Sequence, residues 1–467
     1  MRTILQRIHR EWRGKVRIAV TRPIFDWESL EDSPSLSTVR FILESIPDGR
    51  LLDCLDQARG KGRDDYPCHV LWGVVLLTVI LRHATFEACL AELRRNSALR
   101  RLVGIETESG VPKKWNVSRF LRRLGEPTPL QLAQEAFDAM VRRLSECVPD
   151  LGAMAAGDAT QLNARRQRDK KEVAEEEAQG LPQPSGGQKE YVDDDGKVTK
   201  VLRWFGYKLH LIVDVKHEVA LGYEVTASGA GDGETLPAVL AEAQKNLPQG
   251  RMRTVAYDKA ADTNDVHEAL DRAGVKPVIQ NRRLWKDELE RMLPGHDGTS
   301  NVVYDEAGTI YCYDRASNPP VRHRMSYMGY EEDRGTLKYR CPAMHEGWEC
   351  PSAAVCNAGK AFGKIVRVEK DIDLRRFPPV PRATKQFERF YKGRTSVERV
   401  NARLKVFWGA DDGNIAGARR FHGFIGAVML VHLAFATALA AAPRYEGSLG
   451  KMRLSPIAQA LRARLAG

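Results

Sequence analysis

Apolar residues recur at intervals of three and four through most of residues 1–150, and this spacing predicts a helical region. The most apolar stretch covers residues 69–82, and a second helical pattern covers residues 86–104, where a glycine closes it. A short helix with a basic face follows, and its charged residues are Lys113, Lys114, Arg119, Arg122 and Arg123. A basic helix behind another helix is the arrangement that a helix-turn-helix DNA-binding unit uses, although a solvated charged face has the same pattern.

After residue 150 the pattern changes from helical spacing to short runs of strand-forming residues. Residues 165–203 are charged and rich in glycine and proline, which predicts a mobile loop. The order of strands and helices around this loop predicts a mixed α/β sheet. The predicted strands cover 153–163, 205–215, 219–228, 253–258 and 275–282, and the predicted helices cover 236–247 and 264–274.

The remainder of the chain contains an insertion and a return to helical patterns. Residues 282–383 are rich in Pro, Gly, Cys and aromatic residues and predict an insertion, which a helix-forming segment at 384–409 follows. Residues 421–443 carry no formal charge and are long enough to cross a bilayer, but their histidines and small residues favour a buried C-terminal helix. The predicted domains are a helical N-terminal DNA-binding domain (1–150), the first part of a catalytic core (151–281), a cysteine-rich insertion (282–383) and the last part of the core (384–467).

The net charge of the chain indicates a class of binding partner. The 467 residues include 72 Lys and Arg against 61 Asp and Glu, and the net charge of +11 favours a polyanion such as nucleic acid without requiring one. The charged N-terminus predicts a cytoplasmic protein without a secretory leader. Four isolated cysteines in helical patterns are then expected to be small buried hydrophobes in a reducing compartment: Cys54, Cys68, Cys89 and Cys147.

Three acidic residues occupy positions suited to metal chemistry. Asp158 lies in the first predicted strand behind a glycine, Asp258 closes a later strand, and Glu398 lies on the late helix. Ligand sites in α/β sheets lie where strands end, and three such carboxylates can hold two Mg²⁺ ions about 3.5–4 Å apart for phosphoryl transfer. The simpler alternative is that they are ordinary surface acids. If Glu398 is not the third ligand, Glu234 and Asp262 are the next candidates.

The surroundings of Glu398 strengthen the metal-site hypothesis. Residues 384–405 contain seven Lys or Arg against two acids, and a lone acid among bases suits a metal ion beside phosphates. Helical spacing places on one face Arg394, Glu398, Asn401 and Lys405, with Tyr391 one turn earlier. A capping box between Thr395 and Glu398, or an ordinary ion pair between Arg394 and Glu398, would explain part of the same pattern.

These spacings resemble those of a known family. The Y-(2)-R-(3)-E-(6)-K signature of DDE insertion-sequence transposases is reproduced by Tyr391, Arg394, Glu398 and Lys405. Three further features are similar to the family's: the D-x-T of Asp158 and Thr160, the GYKLH at 206–210 and the AYDKAAD at 256–262. With the helical N-terminal region, the resemblance spans most of the chain. Lys259 and Ala260 depart from the residues that many relatives carry there, which puts the subgroup in doubt.

The resemblance implies a fold, a site and an activity. The fold is an α/β, ribonuclease H-like mixed sheet core with a helical N-terminal domain and an insertion in the core. Asp158, Asp258 and Glu398 would form the DDE triad and hold Mg²⁺ or Mn²⁺ during cleavage and strand transfer at the ends of an insertion sequence. The implied phosphate-binding residues are Tyr391, Arg394, Lys405, Lys208 and His210, and a purely structural role is the alternative for His210.

The resemblance also implies partners. They are double-stranded DNA, as terminal repeats and as target, and a second copy of the chain in a synaptic complex, at the nucleoid and away from membranes. Two other functions fit the same sequence: a catalytically silent DNA-binding derivative, and a ribonuclease H-like nuclease such as a resolvase. The intact carboxylates favour activity, and the long basic helical region favours end-specific binding.

Four more cysteines cluster in the predicted insertion and are candidates for a structural zinc site: Cys312, Cys341, Cys350 and Cys356. Their spacing lacks a C-x-x-C pair, and His323 and His345 are rival ligands. Reduced, unpaired thiols are the alternative.

Overall fold

The computed structural model describes residues 34–59, 66–193, 197–286, 290–294, 300–412, 414–441, 447–453 and 457. Its first part is helical, with α1 Pro34–Leu43, α2 Gly49–Arg59, α3 Cys68–Ile80, α4 Phe86–Arg95, α5 Ser97–Leu102, α6 Lys114–Leu124 and α7 Pro127–Cys147. Helix α3 is apolar on every side and buried, as a central core helix must be. The Thr85 hydroxyl accepts a hydrogen bond from the Ala88 N–H and begins α4.

A six-stranded sheet follows the helical region. Its elements are β1 Met154–Asn163, α8 Lys170–Ala178, β2 Ser185–Val192, β3 Val198–Asp214, β4 Ala220–Ala227, α9 Asp232–Lys245, β5 Thr254–Tyr257, α10 Asn264–Arg272 and β6 Lys276–Ile279. The strand order is β4-β3-β1-β5-β6, and β2 pairs with the first half of the long strand β3. Strand β3 is antiparallel to β1, β2 and β4, whereas β1, β5 and β6 run parallel. The predicted ribonuclease H-like mixed sheet with a helical N-terminal region is confirmed.

The prediction of a mobile loop for residues 165–203 is wrong. This stretch forms α8 and the hairpin of β2 and β3 instead. Helix α8 begins where the Asp169 carboxylate accepts hydrogen bonds from the N–H groups of Lys171 and Glu172. The hairpin is held together by backbone pairing, and its exposed residues are charged. Its strands therefore lack the apolar pattern from which strands are predicted.

The insertion forms two small antiparallel sheets. Its elements are β7 Glu290–Met292, β8 Val302–Asp305, β9 Ile310–Asp314, β10 Val321–Arg324, β11 Ser326–Glu331, β12 Thr336–Arg340, α11 Pro342–Glu346, α12 Ala353–Cys356 and β13 Ile365–Glu369. The first sheet has the order β10-β9-β8-β7 and the second β11-β12-β13. Both sheets contribute to one hydrophobic cluster that is separate from the main core, with Ile310 from the first and Leu337 from the second.

The late helical segment departs from the single helix predicted at 384–409. Helix α13 (Lys385–Tyr391) leads through a tight 3₁₀ turn, Lys392–Arg394, into α14 (Thr395–Ala402), and a wide π-helical turn, Arg403–Phe407, ends it. At the tight turn Gly393 approaches the β3–β4 connection so closely that a Cβ atom would lie 2.9 Å from a methyl carbon of Val215. Both irregular turns change the direction of side chains that a regular helix would align.

The last long helix, α15 (Ala418–Ala440), is the predicted buried C-terminal helix. It is the one helix among the described residues that is long and apolar enough to cross a membrane, and 89% of its most apolar window lies inside the protein. The buried carboxylate of Glu176, on α8, accepts hydrogen bonds from the N–H groups of Ala418 and Arg419 and stabilises the helix N-terminus. The helix therefore packs as an element of the protein core.

Helices cover both faces of the sheet. On β4, a Cβ at Gly222 would lie 3.0 Å from the carbonyl oxygen of Val239, so α9 covers that face. The neighbouring Tyr223 points to the opposite face, where its ring meets Phe137 of α7 edge-on at 4.9 Å. Residues of the helical region and of the sheet share one hydrophobic cluster. The domain boundaries at residues 150, 281 and 383 remain predictions.

One buried ion cluster joins the insertion to the sheet. Asp262, five residues beyond the end of β5, accepts hydrogen bonds from Arg375 at 2.9 Å and Arg382 at 2.9 Å, and His267 lies 3.0 Å away. Burial alone would raise the pKa of Asp262, but His267 and the two arginines outweigh it and the pKa is lowered. Since Arg375 and Arg382 lie where the chain returns from the insertion, this cluster fixes the insertion's base beside β5.

A buried histidine makes the stability of this fold depend on pH. The backbone N–H of Ala220 donates to Nε2 of His432 at 2.9 Å, so this ring nitrogen must be unprotonated. Burial, with a smaller contribution from the charge of Arg403, lowers the pKa of His432 from 6.5 to about 3. The unfolded chain thus binds a proton at pH values where the folded chain does not. The stabilisation is complete above about pH 6.5 and decreases as the pH falls toward 3.

We expect His432→Gln to flatten the acid side of the stability profile, because glutamine keeps an acceptor and does not titrate. Between pH 7 and 5 the wild type should lose about 2 kcal/mol more of its free energy of unfolding than the variant. Urea unfolding at several pH values measures this difference. The comparison uses only the change in the free energy of unfolding with pH, so a constant difference in stability between the two proteins does not matter. Parallel pH profiles would contradict the assignment.

Candidate active site

Asp158 and Asp258 lie side by side at the centre of the sheet. Strands β1 and β5 are parallel neighbours with Ala156 paired to Ala256, and each aspartate lies two residues beyond its paired alanine. Asp258 directly follows β5, where its carboxylate accepts a hydrogen bond from the Ala260 N–H at 2.8 Å. The carboxyl ends of neighbouring parallel strands are where α/β sheets bind ligands.

The pKa of Asp158 reflects its burial and its acidic neighbours. Burial, together with the nearby charges of Asp258 and Asp232, raises its pKa to about 6. The Ala159 N–H and the Arg394 guanidinium act in the opposite direction. A buried carboxyl group with two acidic neighbours is stabilised in its charged form by any cation that enters the site.

Arg394 links Glu398 to this pair. Its guanidinium donates a hydrogen bond to the Glu398 carboxylate at 2.6 Å. Burial lowers the pKa of Arg394, but Glu398, Tyr391 and Asp158 outweigh it and the pKa is raised. The side chain of Glu398 is 51% exposed, so it is free to change partners. The 3₁₀ turn of Lys392–Arg394 packs against the sheet through Gly393, and the charges of both Glu398 and Asp158 act on Arg394.

The three proposed metal ligands are not gathered around a common point in this conformation. Among the residues that the structure describes, no group of three or more His, Cys, Asp or Glu side chains is placed to hold a metal ion. The ion pair between Arg394 and Glu398, which the sequence left open as an alternative, is present. The donor set nevertheless fits a hard divalent cation, because carboxylate oxygens are the ligands that Mg²⁺ prefers and the two strand carboxylates are adjacent and partly desolvated.

Lys405 lies in the π-helical turn and reaches the end of β1. Its ammonium group donates to the carbonyl oxygen of Gln161 at 2.8 Å and lies 3.0 Å from the carboxylate of Asp411. That carboxylate also accepts a hydrogen bond from the Asn163 N–H at 2.6 Å. Turns of this wide type within a helix are frequent at functional sites. The network holds Lys405 at the edge of the candidate site rather than at its carboxylates.

Lys208 and His210 lie on the opposite face of the sheet from Asp158. In the antiparallel pairing of β1 with β3, His210 faces Ala159 whereas Asp158 faces Leu211, so Asp158 and His210 point to different sides. The Nε2 atom of His210 is 3.0 Å from the Thr226 hydroxyl, and the ring is 2% exposed. The structure does not bring these two side chains to the carboxylates of Asp158, Asp258 and Glu398, and their binding of phosphates stays a prediction.

Sequence reasoning missed Asp232, which lies at the start of α9. Its carboxylate accepts a hydrogen bond from Lys208 at 3.1 Å and raises the pKa of Asp158. The available signal was an acidic residue between a strand and a helix, the same signal that singled out Asp258.

The two alternative candidates for the third ligand lie elsewhere: Glu234 is exposed in the first turn of α9, and Asp262 is committed to the ion cluster at the base of the insertion.

Comparison with known proteins places these features in a family. Residues 156–434, more than half of the chain, match the family model described as Transposase DDE domain. The matched range includes the six-stranded sheet from its first strand, the insertion, α14 and most of α15. No curated protein matches the sequence.

Gly157 provides a test of how closely the site is packed. A Cβ atom at this position would lie 2.4 Å from the Tyr257 ring and 2.8 Å from Ile212, inside the contact distance that real side chains allow. We expect Gly157→Ala to displace the side chains of Tyr257 and Ile212 and to lower the free energy of unfolding by about 1–3 kcal/mol. Chemical denaturation measures the loss.

The control is Gly186→Ala, since no atom lies within 4 Å of a Cβ added at that strand position. This variant should unfold within about 0.5 kcal/mol of the wild type. Equal stability of the two variants would show that Gly157 is not tightly enclosed.

Proposed function

Because this chain belongs to the Transposase DDE domain family, we propose that it cleaves and joins DNA with two divalent metal ions held by Asp158, Asp258 and Glu398. The observation that carries the proposal is the adjacency of the two strand aspartates, with Arg394 between Asp158 and the helix glutamate. Mg²⁺ or Mn²⁺ would supply activation of water or a DNA 3′ hydroxyl and stabilisation of the leaving oxygen. We further propose that two copies of the chain act together, each on one end of the element.

Arg394 has two successive roles in this proposal. In the free protein its guanidinium neutralises Glu398 and part of the charge on Asp158. When DNA binds, Glu398 exchanges the guanidinium for a cation, and Arg394 becomes free to grip a phosphate with its planar pair of N–H donors. The 51% exposure of the Glu398 side chain supports this exchange, because an exposed ion pair contributes little stability and is readily broken.

Tyr391 and Lys405 flank the same surface. Tyr391 stacks on Phe387 with ring centroids 5.7 Å apart, which fixes its ring on α13. Lys405 presents an ammonium group whose charge Asp411 balances in the absence of DNA. We propose that both contact the phosphates of the cleaved end, Tyr391 by its hydroxyl and Lys405 as a point charge.

The exposed face of α6 is the proposed DNA-binding surface of the helical region. Trp115 is 53% exposed, and the Arg119 guanidinium lies 4.7 Å from the centre of its ring. The opposite side of the helix is apolar and buried, so the basic side chains must point outward. Lys114 is paired with Glu87 at 2.8 Å, and the other exposed charges of this helix are Arg119, Arg122 and, at its N-terminus, Lys113.

Glu398→Gln tests the enzymatic proposal. The amide cannot act as an anionic ligand, so we expect Mg²⁺- or Mn²⁺-dependent nicking of the element's terminal DNA to fall by at least about 10²–10³-fold while DNA binding persists. Glu388→Gln, an exposed acid on α13, is the matched control and should nick normally. Nicking at wild-type rates by Glu398→Gln would require a different third ligand.

The same reactions distinguish the alternative functions. A silent DNA-binding derivative would bind the labelled end and cut nothing, and a nuclease of resolvase type would cut without joining. Transfer of the cut strand to a target molecule by the wild type is the outcome that the transposase proposal requires.

A double substitution tests the α6 surface. We expect Arg119→Gln with Arg122→Gln to weaken DNA binding and to reduce the slope of log affinity against log salt by about one unit for each DNA phosphate that the variant no longer neutralises. Arg50→Gln is the control, because its exposed guanidinium is paired with Glu135 at 2.6 Å on the same helical region. An unchanged salt slope in the double variant would exclude this face from DNA binding.

A further inference from the structure

Four cysteines of the insertion line one small cavity, which we call the cysteine cavity. They come from separate elements: Cys312 from β9, Cys341 from the residue before α11, Cys350 from the turn before α12 and Cys356 from the end of α12. The cavity has a volume of about 20 Å³, enough for one water molecule or one ion. None of the four thiols is in a disulfide.

Hydrogen-bond donors surround these sulfur atoms. The Asn301 amide donates to Cys356 at 3.8 Å, and the Asn357 amide donates to Cys341 at 3.7 Å. The backbone N–H of Ser352 donates to Cys350 and opposes the rise in pKa that burial causes. Donors of this kind stabilise thiolates, the form of cysteine that binds metals.

A positive charge lies beside the same sulfur atoms. The Lys364 ammonium group donates to the Asn301 side-chain oxygen at 2.8 Å, next to the cavity that both residues line. Burial, with contributions from the other three sulfur atoms, raises the pKa of Cys312 to about 12, while Lys364 acts in the opposite direction. The four cysteines line one cavity, and Lys364 lines it beside them.

We propose that the four cysteines of the cysteine cavity bind one structural zinc ion. Zinc takes four thiolates in a tetrahedron at about 2.3 Å, which requires neighbouring sulfur atoms about 3.8 Å apart. In this conformation the side chains are not placed to hold a metal, so the thiols must close around the ion by rotation about their Cα–Cβ bonds. Binding releases the four thiol protons to solvent, and the resulting net charge of the site is offset in part by Lys364.

The site would join the two sheets of the insertion. Cys312 lies on the first sheet, and Cys341 directly follows the last strand residue of β12 in the second. The hydrophobic cluster between the sheets is small, and small bodies of this kind often depend on a metal ion for stability. The zinc ion would thus hold together a unit whose base is fixed by Asp262 beside the proposed catalytic aspartates. The inference does not depend on DNA cleavage.

Zinc content and cobalt spectroscopy of the full-length protein test the proposal. We expect one zinc ion per chain after purification in zinc-containing buffer, measured by elemental mass spectrometry. We also expect Co²⁺-exchanged wild type to show the intense visible absorption of tetrahedral thiolate coordination. The cobalt measurement needs no variant, so it remains decisive even if substitutions in the cavity impair folding.

Variants identify the ligands. Cys312→Ser and Cys350→Ser should each reduce the bound zinc to well below one per chain. Cys54→Ser and Cys147→Ser, two half-buried cysteines outside the insertion, should keep it. Addition of a strong chelator should lower the thermal midpoint of the wild type and leave that of Cys312→Ser unchanged.

Three results would overturn the proposal. One is wild-type protein without bound zinc and without the cobalt absorption. Another is zinc that persists in Cys312→Ser but disappears in His323→Ala, which would replace the four-cysteine site with a different ligand set at the same cavity. The third is the recovery of these cysteines as disulfides in metal-free protein that is fully folded.

Discussion

The burial of one carboxylate beside a second on the neighbouring strand is the constraint on which the candidate site depends. Burial raises the pKa of Asp158, and the charges of Asp258 and Asp232 raise it further, so the region favours any positive charge. In the free protein Arg394 supplies part of that charge while pairing with Glu398. The same arginine thus stabilises the acids before a metal ion binds and, in our proposal, binds DNA afterwards.

Close packing in the rest of the fold fixes the positions of the aspartates, of Arg394 and of Lys405. Gly157 allows the Tyr257 ring to pack directly against β1, next to the two aspartates. Gly393 lets the tight turn before α14 approach the sheet, and the wide turn after α14 directs Lys405 toward the end of β1. The Asp262 ion cluster places the insertion beside the same strand end.

The sequence predicted the sheet well because its buried strands are short apolar runs bounded by glycine and polar residues. The sequence-based prediction failed at the β2–β3 hairpin, because its residues are charged and exposed although their backbones pair. It also failed at 384–409, because a tight turn at Gly393 and a π-helical turn interrupt the regular helical spacing. Spacing along the chain placed Tyr391, Arg394 and Glu398 together, since their separation is local. It could not reveal the side of the sheet on which Lys208 lies, because that side depends on strand register.

Anomalous diffraction from crystals of the protein bound to an element end and Mn²⁺ tests the central claim most directly. The account predicts two manganese peaks between the carboxylates of Asp158 and Asp258, one of them also contacted by Glu398, with Arg394 moved onto a DNA phosphate. Manganese bound elsewhere, or a Glu398 that still pairs with Arg394 while metal and DNA occupy the site, would contradict it.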